Sequence, residues 1–412
     1  MLLSGRLLLS RGAVIPGLAA LGLADEAVRR AWAALAYGKW CATQWLEAWE
    51  HLLHAEQRLH AHQYGGYRPV ACALVGFFRP RLRDWPTKHS SSVAGKALPA
   101  IPFGIAARIG TVGTQRLAVP CVLVRGEATD TSEAAMQRRL LQQTKERLAA
   151  DAACVCDRGF PLRQLQDAGV PRYVVRAPIN FTARRATLPV YKGQGRKPVR
   201  GALVRPLPRT YKGHPIAATP PDRREPWQLR HGRTTLTLTA SCWDDLVWAD
   251  ARPGAPTFST VLSHDPRFAE PLLLNTTLPL TGPQLHAFYR DRWPVEGWPL
   301  TAQQMWGAAR QFVLAPESRP RLPALALVAG AILMYSAATQ PVPPTGFWDR
   351  APRPTSGRLR RRLATVHCAD LEGLPAQLRK KASPTAHLPK GVLGHRRQQK
   401  AQVVHDDLLV AA

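Results

Sequence analysis

A short segment rich in aromatic residues carries four polar side chains at helical spacing. In FYRDRWPVEGWPLTAQQM, at 288–305, they are Tyr289, Arg292, Glu296 and Gln303, at intervals of three, four and seven residues. On a regular helix these side chains would lie within about 60° of one another. A phenol, a guanidinium, a carboxylate and an amide on one face can do chemistry on a charged ligand, or they can form an ordinary polar stripe.

The elements that would position such a face are predicted from hydrophobic periodicity. Strand-like runs occur at 69–78, 100–110 and 116–126, then a helix at 132–150, a strand at 153–157, a helix at 160–169 and a strand at 172–178. This element order is that of a ribonuclease H-like α/β domain, with a mixed five-stranded sheet and flanking helices. In that topology the first and fourth strands end side by side. Acids there and on a later helix can share two divalent ions.

The rest of the chain divides by composition. We expect a helical, DNA-binding N-terminal domain at 1–64, the first part of the α/β domain at 65–180, a β-rich insertion at 181–278, its helical completion with Glu296 at 279–340, and a basic, poorly ordered tail at 341–412. Pro294 and Pro299 predict a kink or break near 292–297.

The charge balance points to a polyanionic partner. The chain has 56 Lys and Arg against 28 Asp and Glu, a net charge of +28. Such an excess releases counterions when it meets nucleic acid, which makes nucleic acid the expected partner. Structured RNA is an alternative to DNA on charge alone.

Cysteine use and apolar runs bear on location. The seven cysteines form no Cys-x-x-Cys pair, which favours buried thiols in a reducing cytoplasm. The N-terminal apolar run is expected to be an amphipathic helical segment, with a transit peptide as the alternative. The apolar run at 322–337 is short for a bilayer and is expected to be a core helix, so we expect no membrane partner.

Two segments resemble one family. ACVCDRGF at 153–160, followed by a helix and RYVV, resembles the second-acid segment of insertion-sequence DDE transposases. YRDRWPVEGWPLTAQQ resembles the Tyr-x2-Arg-x3-Glu-x6-Lys signature of one large subgroup. Tyr289, Arg292 and Glu296 match it in type and spacing, and Gln303 stands where Lys is expected. The resemblance covers roughly 68–335, and the 139 residues from Asp157 to Glu296, with a β-rich insertion between them, also resemble that subgroup.

The resemblance implies DNA cleavage and strand transfer by two-metal phosphoryl transfer, with three carboxylates holding Mg²⁺ or Mn²⁺. Asp157 and Glu296 would be two of these catalytic, metal-binding acids. Tyr289 and Arg292 would hold DNA phosphates, Gln303 is a further DNA contact, and Arg158 could orient a carboxylate or contact the DNA backbone. Lys88 and Lys96, in the loop region after the first strand, are candidate phosphate contacts, with solvated surface as the equal alternative. The implied partners are double-stranded DNA, at transposon terminal inverted repeats, and a second copy of the chain in a synaptic homodimer. The implied location is the cytoplasm of a bacterium, at the nucleoid.

The first acid of the pattern is missing. Ala73 occupies the position on the first strand where an Asp is expected, and Glu127 is the least implausible substitute. With two carboxylates instead of three, metal affinity and rate should fall by orders of magnitude. A catalytically inactive DNA-binding remnant or repressor is therefore an alternative, and a two-metal nuclease without strand transfer is another.

Simpler structural roles also stay open for these residues. Asp157 could cap the following turn, and Glu296 could pair with Arg292 across one helical turn. Trp293, Trp298 and Trp306 are expected in the core, with stacking on a flipped base as the alternative.

Overall fold

The computed structural model describes residues 1–364, apart from 3, 11–12, 39–40, 80–87, 92–93, 128–129, 131, 192, 196, 232, 252–253, 309–318 and 343. The described part is mixed α/β and is built on one large mixed sheet. The mixed α/β class predicted from the sequence is confirmed.

The N-terminal part is helical, as its composition predicts. Its helices are α1 (Arg6–Leu9), α2 (Val14–Ala19), α3 (Asp25–Tyr37) and α4 (Ala42–Glu56). In α4 the buried side chains Leu46, Trp49 and Leu53 recur at helical spacing, so that one face packs inward. Trp49 meets Tyr335 edge-on at 5.2 Å between ring centroids.

The central elements follow in the predicted order, with shifts at their ends. They are β1 (His60–Ala61), β2 (Arg68–Phe78), β3 (Lys88–Ser91), β4 (Lys96–Val112), β5 (Gln115–Arg125), α5 (Glu133–Glu146), β6 (Ala152–Cys156), α6 (Leu162–Asp167) and β7 (Tyr173–Arg176). All five residues of β6 are buried, as expected for a strand covered on both faces.

These strands lie in the order β5, β4, β2, β6, β7. β4 is antiparallel to both β5 and β2, whereas β2, β6 and β7 run parallel to one another. Cys72 of β2 pairs with Cys156 of β6, and Cys156 pairs with Val175 of β7. The next residue of each strand or of its continuation therefore lies at the same level: Ala73, Asp157 and Arg176.

Helices cover this part of the sheet on both faces. α5 and α6 pack on one face, where Met136 and Leu162 join a core with Cys72. The C-terminal helices described below pack on the other face, where Tyr289 and Trp298 join a core with Ala73. Alternate residues of β2 therefore face different helical layers, because side chains alternate along a strand.

The β-rich segment extends the same sheet. Its strands are β8 (Ala183–Arg185), β9 (Leu203–Val204), β10 (Arg209–Tyr211), β11 (His214–Ile216), β12 (Arg223–His231), β13 (Thr234–Trp248), β14 (Phe258–His264) and β15 (Leu272–Thr276). β15 pairs antiparallel with β7, and β14 and β13 continue from it. β10 and β11 form a separate hairpin.

The last described part is helical: α7 (Gly282–Arg290), α8 (Pro294–Trp306), α9 (Arg321–Thr339) and α10 (Ser356–Ala364). The helix is interrupted at 291–293, between α7 and α8, at the start of the region where a kink or break was predicted. Pro299 lies inside α8. Tyr289 therefore belongs to α7 and Glu296 to α8, so the four side chains do not share one regular helix, as the two prolines led us to expect. Pro294 is accommodated in the first turn of α8, where its missing N–H is not needed.

Two further expectations concern the C-terminal region. Among the described residues α9 is long and apolar enough to cross a membrane, but 67% of its most apolar window is buried inside the protein. That burial fits the expected core helix. In the expected poorly ordered tail, α10 forms at Ser356–Ala364 with Leu359 buried, so that expectation is wrong for α10; residues 365–412 lie outside the described residues.

Candidate functional site at the ends of the parallel strands

One guanidinium joins the two predicted acids. Nη1 of Arg292 lies 2.5 Å from Oε1 of Glu296 and 3.9 Å from Oδ2 of Asp157. Since both oxygens are measured from the same nitrogen, they cannot be more than about 6.4 Å apart, the sum of those two distances. Two acids separated by 139 residues of sequence therefore meet where β6 ends and α8 begins.

The guanidinium between them is buried and lies near two aromatic rings. Arg292 is only 5% exposed. Its Cζ lies 4.6 Å from the centre of the Trp293 ring and 5.8 Å from that of Tyr289. Burial disfavours its charge, but Tyr289, Glu296 and Asp157 outweigh this and raise the pKa of Arg292 above its ordinary value. Its Nε has no hydrogen-bond partner among the described residues.

The two carboxylates are more open than their cation. The side chain of Asp157 is 41% exposed and that of Glu296 48%. Oδ1 of Asp157 accepts a hydrogen bond from the backbone N–H of Gly159 at 2.8 Å, as expected for a residue that caps a turn. The simpler roles of both acids are thus present in the structure, together with their convergence on Arg292.

The position of the expected third acid is apolar. Ala73 lies level with Asp157 on the neighbouring strand and contributes to the core beneath α8. Among the described residues, no three His, Cys, Asp or Glu side chains are placed to hold a metal ion together. Glu127 pairs with Arg139 of α5, on the opposite face of the sheet, and so does not replace the missing carboxylate.

Tyr289 and Arg176 lie near the two acids and Arg292, and Arg176 was not among the residues predicted from the sequence. Tyr289 is 5% exposed, and burial raises the pKa of its phenol, which the charges of Arg292 and Arg176 partly offset. Arg176 ends β7 at the level of Asp157, and its Nη2 donates to Oε2 of Glu270 at 3.2 Å. The only sequence signal for Arg176 was a basic residue at the end of a predicted parallel strand.

The other predicted contacts are spread over a larger surface. Arg158 is exposed next to Asp157, and Gln303 is half-buried two turns along α8 from Glu296, about 10 Å away along the axis. Lys88 and Lys96 are exposed on paired strands β3 and β4. From the register of β4 with β2, they lie about 20 Å and about 30 Å along the strand from the level of Ala73. They are not part of the acid pair's surroundings.

The three tryptophans separate into two environments. Trp298 and Trp306 are fully buried, and the indole N–H of Trp298 donates to the carbonyl of Leu327 at 2.5 Å. Trp293 is 57% exposed, so the expectation that it is a core residue is wrong. Because it follows the break between the helices, its ring lies over Arg292 at the surface.

No family model and no curated protein matches the chain. The fold and the geometry of this site are therefore the basis for assigning a function.

Proposed function

We propose that this chain is a ribonuclease H-like protein of the DDE transposase type, which binds double-stranded DNA and lacks the first catalytic carboxylate. The observation that carries the proposal is the convergence of Asp157 and Glu296 on Arg292. An acid just after the fourth strand and an acid on a later helix are the pair that such a site requires. An ordinary ion pair between Arg292 and Glu296, four residues apart, would not need Asp157.

The topology supports the same assignment. Numbered along the chain, the five central strands lie in the order third, second, first, fourth, fifth. The first, fourth and fifth are parallel, which brings their carboxyl ends to one edge. Asp157 and Arg176 stand at that edge, and Ala73 lies level with them in the middle of β2, which continues to Phe78. Ala73 is thus the position at which a third carboxylate would complete the site.

The charge and the exposed groups support DNA as the partner. A net charge of +28 favours binding to a polyanion, and Arg158, Arg176 and Arg292 lie around the acids. Trp293 offers an exposed ring on which a base can stack. The proposed targets are terminal inverted repeats, bound by a homodimer at the nucleoid in the cytoplasm.

The proposed catalytic state follows from Ala73. Three carboxylates would hold Mg²⁺ or Mn²⁺, and the bound metal would supply activation of the attacking oxygen and stabilisation of the leaving oxygen in phosphodiester transfer. Asp157 and Glu296 supply two of the three, and both are turned toward Arg292. We therefore propose that the wild-type chain binds DNA without cutting it, as a repressor or remnant of a transposase would.

DNA binding is tested by fluorescence anisotropy with the full chain and a labelled DNA duplex, beside an RNA duplex of equal length. We expect tighter binding to DNA, and an affinity that falls about 10³-fold or more between 50 and 200 mM salt if six or more phosphates are contacted. The double variant Arg158→Ala/Trp293→Ala should weaken DNA binding more than Lys88→Ala/Lys96→Ala. Preference for the RNA duplex would instead support the structured-RNA alternative.

Catalysis is tested by strand cleavage at high Mn²⁺ concentration. We expect no cleavage by the wild-type chain, and metal-dependent nicking by Ala73→Asp that is lost again in Ala73→Asp/Glu296→Gln. A circular dichroism spectrum shows whether each variant is folded, since position 73 is 8% exposed. Cleavage by the wild-type chain that Glu296→Gln abolishes would show that the site is complete without an acid at position 73.

A further inference from the structure

We infer that, without DNA, the guanidinium of Arg292 is the cation that Asp157 and Glu296 bind, and that it excludes a divalent metal ion from this acid pair. The inference deepens the proposed function and rests on it for the origin of the acid pair. Its test uses metal alone, so that it can fail while DNA binding holds, and the reverse.

The positions of the atoms carry the first step. A Mg²⁺ ion shared by two carboxylates would lie about 2.0–2.1 Å from an oxygen of each. Nη1 of Arg292 already lies near one oxygen of each acid, at 2.5 Å from Glu296 and 3.9 Å from Asp157. An ion bound to the same Glu296 oxygen would therefore lie within about 4.6 Å of this nitrogen and would compete with it for that oxygen. It would also lie against a positive charge, which opposes its binding.

The second step is that the guanidinium is held in place. It is 5% exposed, and its Cζ lies 4.6 Å from the centre of the Trp293 ring and 5.8 Å from that of the Tyr289 ring. The residue before it, Asp291, is fully buried and is bound by His62 and Tyr64. The backbone at Arg292 is thus anchored, and leaving the acids would cost the side chain its stacking contacts.

The third step is that, among the described residues, no third acid stands beside this pair to help bind a metal ion. Ala73 stands where a third carboxylate would tip the balance toward a metal ion, and its methyl group offers no oxygen. Oδ1 of Asp157 is already engaged by the N–H of Gly159. One oxygen of Asp157 and the carboxylate of Glu296 can therefore bind either a divalent ion or the guanidinium. The guanidinium competes well because it is part of the chain and always lies close to the two acids.

The experiment is a Mn²⁺ titration of the full chain without DNA, in which electron paramagnetic resonance reports the free ion. The variants are Arg292→Gln, which removes the charge, and Arg292→Lys, the matched control that keeps it. Arg292→Gln/Glu296→Gln identifies the binding that depends on the acid pair. Asp157→Asn/Glu296→Gln measures Mn²⁺ held elsewhere on the chain.

We expect the wild-type chain to bind no more Mn²⁺ than Asp157→Asn/Glu296→Gln does. Arg292→Gln should gain one site per chain, at least about tenfold tighter than wild type, and Arg292→Lys should not. The gain should disappear in Arg292→Gln/Glu296→Gln, and adding Ala73→Asp to Arg292→Gln should tighten binding further.

Two results would overturn the inference. One is a site in the wild-type chain that Asp157→Asn/Glu296→Gln removes, which can be measured even if Arg292→Gln does not fold. The other is a folded Arg292→Gln chain, with an unchanged circular dichroism spectrum, that binds Mn²⁺ no more tightly than wild type.

Discussion

Nδ1 of His62 lies 2.8 Å from Oδ2 of Asp291, whose carboxylate is fully buried. The hydroxyl of Tyr64 donates to the same oxygen at 2.9 Å, and Nη1 of Arg116 lies 3.3 Å from the other. This cluster joins the segment after β1, the start of β5 and the break between α7 and α8. It therefore anchors the chain one residue before Arg292.

Replacing Asp291 should destabilise the fold strongly. Asp291→Ala leaves the partly buried His62 imidazole and Tyr64 hydroxyl without their acceptor and the exposed Arg116 without its ion partner, which should lower the free energy of unfolding by about 1–3 kcal/mol. Equilibrium unfolding in urea, followed by circular dichroism, measures the change. The control is Asp167→Ala, an exposed acid 3.9 Å from Arg163, with an expected change below about 0.5 kcal/mol. Similar losses for both variants would contradict the role of the buried cluster.

His286 should make the protein sensitive to mild acid. Burial, assisted by the charge of Arg290 and opposed by Asp265, lowers the pKa of this imidazole below its ordinary 6.5. The unfolded chain then binds more protons than the folded one. The contribution of His286 is complete above pH 6.5 and is lost as the pH falls from there toward the folded-state pKa.

The measurement is the free energy of unfolding between pH 7.5 and 5. His286→Gln should flatten the decline by up to about 1.4 kcal/mol per pH unit below 6.5. His54→Gln, at an exposed position on α4, should keep the wild-type slope. An unchanged slope in His286→Gln would show that this imidazole does not titrate differently on folding.

Trp293 should contribute to DNA binding and little to stability. Its indole is 57% exposed over Arg292, and a stacked base is worth about 1–3 kcal/mol per aromatic side chain. Trp293→Ala should therefore weaken binding to a duplex with an unpaired end by that amount, as measured by fluorescence anisotropy. Trp348→Ala, which removes an indole that is 69% exposed in the segment between α9 and α10, is the matched control. Equal effects of the two variants would argue against stacking at this site.

Glu225 should stabilise the helix that carries Tyr289. Its Oε2 accepts a hydrogen bond from the N–H of Gly282 at 2.8 Å, at the first turn of α7, and this contact lowers the pKa of the carboxyl. Glu225→Ala should cost about 1 kcal/mol, and Glu225→Gln, which keeps an acceptor, should cost less. Thermal unfolding measures both. A larger loss in the Gln variant than in the Ala variant would contradict this capping role.

The order of elements between 68 and 176 could be predicted from the sequence because each one has a local signal. Strands buried on both faces read as continuous apolar runs, and α5 shows a helical period with Ser132 before it. The position of Ala73 followed from the alternation of side chains along β2. These signals come from residues that are close in sequence, so they can be recognised without knowledge of the fold.

Other features depended on partners distant in sequence. Trp293 and Trp298 lie in similar local sequences. Only the interruption of the helix at 291–293 leaves Trp293 exposed while Trp298 is buried. Glu225 accepts a hydrogen bond from the N-terminus of α7 because β12 lies beside that helix, and residues 57 positions apart give no local signal for this contact. The burial of Asp291 could not be predicted, since His62, Tyr64 and Arg116 come from other segments.

The sequence by itself therefore determined the mixed α/β class, the strong positive charge, and the presence of an acid after β6 and another beside Arg292. Only the tertiary structure decided that Asp157 and Glu296 point at the same guanidinium. The reason is strand register. Side chains alternate along a strand, so shifting β6 by one residue against β2 would turn every side chain of β6 to the opposite face of the sheet. Strand pairing and the packing of α8 set that geometry, and no short stretch of sequence contains it.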